Sequence, residues 1–153
     1  MIRLFSRTLS GKVLVAGVGR VDRFDDGAGP VLARRLAAVP AVHALDCGDR
    51  LEDFTGDIAL LEPDVVVVAD AVDLRAAPGS TALLDAHNLP ADADTHGGTL
   101  RTAMEYLRLR TNAEVLLLAI QPARVADGVG LSAEVGATID MLVGLFTDRG
   151  PIG

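Results

Sequence analysis

The chain is expected to fold as an α/β domain: a three-layer sandwich with a mostly parallel five-stranded sheet and helices on both faces. Three observations point there. Short apolar runs alternate with stretches of helical period, an order that implies strands joined by crossover helices. Half of the 153 residues are apolar while only 3% are aromatic and Trp is absent, so the core must be aliphatic, as suits buried parallel strands covered by helices. No repeat, linker or low-complexity segment interrupts the chain. Residues 1–153 therefore read as a single domain, large enough to bury one core, with residues 1–11 as a loosely ordered N-terminal extension.

The elements follow in order. Lys12–Gly17 (KVLVAG) is a short apolar run ending in glycine and reads as a buried strand. Gly17–Gly29 is polar and glycine-rich and reads as a loop. A helix is expected from Pro30 to Ala38, since Pro is welcome in a first turn, where its missing N–H has no partner to lose. Val42–Cys47 is a second strand. Leu51–Leu61 is ambiguous, with a helical tendency. Val65–Val72 (VVVVADAV) is the clearest strand, because four consecutive valines resist helix and favour sheet. Pro78-Gly79 marks a turn, and Ser80–Leu84 is a fourth strand, suited to an edge. His87–Thr95 is a polar loop. Leu100, Ala103, Met104 and Leu107 fall on one helical face, so Gly98–Arg110 is an amphipathic helix. Glu114–Ile120 is a fifth strand and Ala123–Gly130 a loop. Val135, Ile139, Leu142, Val143 and Phe146 make the apolar stripe of a last helix, with Ser132 as its N-cap.

Composition excludes several classes. A formal net charge of −7 repels phosphate backbones and anionic membrane surfaces, so neither nucleic acid nor membrane is expected as a partner. No apolar run reaches the roughly 18 residues needed to span a bilayer, and the Arg- and Lys-bearing start lacks the apolar core of a secretory signal. Cys47 is the only cysteine, so no internal disulfide can form, which fits a reducing cytoplasm. It reads as a strand-end core residue.

Open parallel sheets bind ligands beyond the C-terminal ends of their strands. Asp22, Asp25 and Asp26 follow the first strand, Asp70 closes the third, and His96 precedes the amphipathic helix. Each also has a plainer reading. The Asp25-Asp26 pair lies near a helix start, where an acid caps free N–H groups. Asp70 at the mouth of a buried strand needs a compensating cation, helix N-terminus or metal. A single histidine such as His96 is often just a surface residue. Together, two carboxylates and one imidazole would suit Zn, Ni, Co or Mn and leave coordination positions open, the pattern of a catalytic metal site. Gly17-Val18-Gly19 begins like a dinucleotide fingerprint, but Asp22 stands where the third glycine belongs. His43 and His87 have no supporting motif, and no GxSxG stretch is present.

Gly17–Gly29 (GVGRVDRFDDGAG) resembles the opening motif of the hydrogenase-maturation endopeptidases, a strand running into G-x-G-N, a spacer and D-[DE]-G-x-G. Ala69-Asp70-Ala71 resembles that family's second motif, and Thr95-His96-Gly97-Gly98-Thr99-Leu100 its third. Ile120-Gln121-Pro122 and Gly130-Leu131-Ser132 resemble its C-terminal part, so the likeness covers about residues 12–147. By motif, the family's metal ligands fall on Asp26, Asp70 and His96, the three residues already singled out by position.

The resemblance implies an endopeptidase that removes the C-terminal peptide of a nickel–iron hydrogenase large-subunit precursor. The implied metal is the precursor's nickel, although Zn or Cd could occupy the same ligands. Asp25 is expected in a supporting role, capping the first helix or orienting the site, with Arg20 as its partner. Substituting Asn there is expected to be mild, since Asn also caps a helix. Two other readings remain open: a non-catalytic nickel-sensing or chaperone module acting on the same partner, and a nucleotide-binding domain. Arg20 departs from the family's usual Asn, and Asp46-Cys47-Gly48-Asp49 from its D-G-G-T-like turn. A monomer is expected.

Overall fold

The computed structural model describes residues 9–85, 89 and 99–149. Five strands form one sheet among them: β1 (Val13–Gly17), β2 (His43–Asp46), β3 (Val65–Ala71), β4 (Thr81–Asp85) and β5 (Glu114–Ile120). The order is β2-β1-β3-β5-β4. β1 pairs in parallel with β2 and β3, and β3 with β5; β4 lies antiparallel on β5, at the edge. Every residue of β1 and β3 is buried, as near-continuous aliphatic runs must be when both faces of a strand are covered.

The helices are α1 (Ala28–Leu36), α2 (Thr55–Leu60), α3 (Thr99–Thr111) and α4 (Ala133–Thr147). The two-residue period of the strands divides the core in two. Val13, Val15, Val65, Val67, Leu116 and Leu118 pack with Leu32 and Leu36 of α1 and with Ile139, Leu142 and Phe146 of α4. Leu14, Ala16, Val66, Val68, Val115 and Leu117 pack with Ile58 of α2 and with Leu100, Met104 and Leu107 of α3. The result is the expected three-layer sandwich. No helix among the described residues is long and apolar enough to cross a membrane.

α4 begins as expected, with the Ser132 hydroxyl accepting from Val135 N at 3.3 Å. The Leu51–Leu61 stretch is a 3₁₀ helix, Leu51–Phe54, continuing into α2. Two boundaries differ from expectation. α1 starts at Ala28 rather than Pro30, which still falls in the first turn, where a proline leaves no hydrogen bond unmade. The preceding stretch is not all loop, because Phe24–Gly27 forms a 3₁₀ helix. Tertiary bonds hold it, from Phe24 N to Gly128 O at 2.8 Å and from Asp25 N to Arg124 O at 3.0 Å. Local pattern does not announce these. Of the residues expected to form a loose N-terminal extension, 1–8 lie outside the described residues; Leu9 is buried in the core, and Arg149 Nη2 donates to its carbonyl at 3.0 Å.

Candidate active site

β1 leads to β2 on one side of it, while β3 lies on the other, so the strand order reverses between β1 and β3. Ligands bind at such a point, beyond the strands' C-terminal ends. Two glycines, Gly17 and Gly29, let the backbone close up there: a Cβ added to Gly17 would lie 2.6 Å from Gly29 C. An added Cβ on Gly29, in the first turn of α1, would lie 2.5 Å from Val18 O and 2.7 Å from Val18 N, and nearer still to Ala69 O. Only a residue without a side chain lets α1 start directly against β1 and β3. The sheet continues past Gly17 through Val18 N, which donates to Ala69 O at 2.8 Å.

Asp26 sits in the 3₁₀ helix, which contacts β3, and is 7% exposed. Its Oδ2 accepts from Arg20 N at 3.0 Å, and its own N donates to Arg23 O at 3.1 Å. Asp70 is 0% exposed. By strand alternation it shares the face of Val66, Val68 and Val72, the side covered by α3. α3 ends at Thr111, and Asn112, with φ 57°, turns the chain towards the N-terminal end of β5. α3 therefore runs against the parallel strands, and its N-terminus lies at the same end of the sheet as Asp70. His96, just upstream of that N-terminus, lies outside the described residues, as does His87. Among the described residues no group of three His, Cys, Asp or Glu side chains is placed to hold a metal; of the ligands expected from the sequence, Asp26 and Asp70 lie at this end.

A cleft of about 440 Å³ opens here, lined by Arg20, Arg23, Asp26, Asp49, Ala71, Asp73, Pro122 and Val125. Ala71, the residue after Asp70 in β3, is among the lining residues; Asp70 itself is buried behind them.

Asp25 has a different place from the one expected. The N-cap of α1 is Gly27, with no side-chain cap, and the Arg20 guanidinium pairs with Asp22 at 2.8 Å instead. Asp25 points away, into the loop between β5 and α4. Its Oδ2 accepts from Ala123 N (2.8 Å), Arg124 N (3.1 Å) and Ser132 Oγ (2.8 Å), and its Oδ1 from Ser132 N (2.7 Å). It is 0% exposed. Burial pushes its carboxyl up, but the bonds from Ser132, Ala123 and Arg124 outweigh that and hold it below the ordinary carboxylate value. An Asn would turn an NH2 group onto one of those donors, so it is no mild replacement here.

Cys47 is 2% exposed, and burial, helped by Asp46 and Asp57, pushes its thiol up to about 12. It is a core residue and no nucleophile. Sequence reasoning missed the role of Gln121, although its Gln-Pro motif at a strand end was the available signal. Its Oε1 accepts from Leu74 N at 2.6 Å and its Nε2 donates to Pro122 O at 3.2 Å. These bonds tie the segment after β3 to the rim of the cleft.

Residues 30–149 match a family model described as hydrogenase maturation protease. Over 109 residues, 69% of each chain, the sequence is 32% identical to the hydrogenase 3 maturation protease of Escherichia coli K12. The fold is similar to the crystal structure of the [NiFe] hydrogenase maturation protease HycI from Thermococcus kodakarensis, with TM-score 0.86, 28% identity and coverage of 95% and 97% of the two chains. It is also similar to the solution structure of the endopeptidase HycI from Escherichia coli, with TM-score 0.79, 26% identity and coverage of 93% and 94%. The family match spans Asp70 and His96 but begins after Asp26.

Proposed function

This chain belongs to the hydrogenase maturation protease family, and on that premise we propose that it removes the C-terminal peptide of a nickel-loaded hydrogenase large-subunit precursor. The observation that carries the reading is the pair of acids, Asp26 and Asp70, at the β1–β3 switch point beside an open cleft. In this reading Asp26, Asp70 and His96 recognise the metal. His96 enters by its motif and by lying three residues before α3 in the sequence. Two carboxylates and one imidazole, with no thiolate, make a modest site for a free divalent ion. They suit nickel that arrives already held by the precursor, so recognition waits for metal insertion. A metal placed there orients and polarises a nearby peptide carbonyl. The protein itself supplies the charge of Asp26 and Asp70 and the cleft that holds the peptide. The chain is proposed to act as a monomer in the cytoplasm.

The test is to incubate purified protein with nickel-loaded precursor and look for a small C-terminal fragment on a gel. Wild type should release it. His96→Ala and Asp70→Asn should not, while retaining the wild-type circular dichroism spectrum. Precursor binding without any fragment from wild type would instead make the chain a non-catalytic sensor. Full activity in folded His96→Ala would refute the assignment of the metal site.

A further inference from the structure

Asp25 and Asp26 are adjacent, yet their side chains serve opposite sides of the 3₁₀ helix. Asp26 lines the cleft and is anchored locally, by Arg20 N and Arg23 O. Asp25 is anchored about a hundred residues away, on Ala123, Arg124 and Ser132. Further links join the same two segments. Arg23 forms a parallel bridge with Gly128, Gly128 N donates to Asp22 O at 3.0 Å, and the Arg124 guanidinium stacks 4.2 Å from the centre of the Phe24 ring. The ring leaves no room for a Cβ on Gly128, whose φ of 151° also favours glycine.

This zipped loop carries Pro122 and Val125, which line the cleft together with Asp26. Val125 is 46% exposed, an aliphatic side chain presented among charged ones. A cleft that holds an extended peptide needs a fixed apolar surface as well as polar groups that set orientation. We propose that Asp25 is a positioning residue for substrate binding: it fixes the Pro122–Val125 wall, on which an apolar side chain of the precursor's peptide rests, while Asp26 serves the metal. The two neighbouring acids thereby divide the work between binding the peptide and recognising the metal. This inference rests on the proteolytic reading above.

The division predicts a split in kinetics. Asp25→Asn breaks the staple but leaves Asp26's own anchors in place, so KM for nickel-loaded precursor should rise about tenfold with kcat within about twofold of wild type. Val125→Ala, at an exposed position that does not threaten the fold, should also raise KM and leave kcat unchanged. Hydrogen exchange supplies a readout that general destabilisation would not reproduce. In Asp25→Asn the amides of Ala123, Arg124 and Ser132 should lose clearly more protection than those of β1 and β3, which fall only by the loss of global stability.

Equal KM in wild type and Val125→Ala, or a fall in kcat without a change in KM in Asp25→Asn, would overturn the proposal. The dissociation constant of nickel-loaded precursor, measured directly for wild type and both variants, separates it from the cleavage reading. If wild type binds without cutting, proteolysis fails as the function, and the inference stands only if both variants bind more weakly. If wild type neither binds nor cuts, both are overturned.

Discussion

Replacing Gly29 by Ala tests the packing that builds the candidate site. In an ordinary helix this change is stabilising, because Ala is favoured over Gly by about 1 kcal/mol. At Gly29 the new Cβ would lie 2.5 Å from Val18 O and 2.7 Å from Val18 N, and would press on Ala69 O. All three are backbone atoms at the joined ends of β1 and β3, and none can rotate away as a side chain could. Restoring ordinary contact near 3.4 Å requires α1 to retreat from the sheet by about 1 Å. Its buried face, Leu32, Ala33 and Leu36, would have to move with it. Overpacking of a rigid site costs about 1–3 kcal/mol or more, which exceeds the propensity gain. The expected net loss is about 2 kcal/mol, accompanied by reduced cleavage because Asp26 and Asp70 shift relative to one another. Gly136→Ala is the internal control: it too lies within a helix, but its Cβ would meet nothing within 4 Å, so it should stabilise by about 0.5–1 kcal/mol. Urea unfolding followed by circular dichroism measures both variants. A Gly29→Ala protein as stable as Gly136→Ala would show that the close approach of α1 to the strands does not govern this end of the sheet.

Three other outcomes are expected. Asp25→Asn should lower stability by about 2–4 kcal/mol at neutral pH, from the loss of a buried charged acceptor. Because the folded carboxyl lies below its unfolded value of about 3.9, its stabilisation is present above about pH 4 and is lost as pH falls through the folded value. The gap between wild type and variant in urea midpoint should therefore narrow on acidification; a gap independent of pH would deny the charge its role. Cys47, with its thiol pushed up to about 12 mainly by burial, should resist iodoacetamide at pH 8 in the folded protein and react fully in urea, as mass spectrometry would show. Leu32→Ala, at a residue with 0% exposure, should cost about 2–5 kcal/mol in urea unfolding, whereas Leu109→Ala, 76% exposed, should stay within about 0.5 kcal/mol.

Much of the architecture is legible in short stretches of sequence because local periods carry it. The valine run of β3, the apolar helical faces of α3 and α4, and the Ser132 cap each depend on neighbours a few residues away. The same reasoning brought Asp26 and Asp70 forward, since polar residues at or beyond the C-terminal ends of buried parallel strands lie on the ligand-binding edge. The antiparallel direction of β4 and its place beside β5 are pairings of segments far apart in the chain, and no local period encodes them.

Asp25 shows where that legibility ends. Beside Asp26 in sequence, it carries the same local signal of an acid at a helix start, and capping is the natural reading. The fold gives it another task, because its hydrogen-bond donors lie 98 to 107 residues further along. Gly29 is similar: its composition class announces a turn, while its purpose, clearance between α1 and the carbonyls of Val18 and Ala69, exists only once β1 and β3 are paired. The sequence by itself determined the five strands and the longer helices, and brought Asp26 and Asp70 to the edge of the sheet, because those depend on spacing along the chain. Only the tertiary structure decided what each acid faces there, because hydrogen bonding and steric clearance depend on distances through space, which chain packing sets.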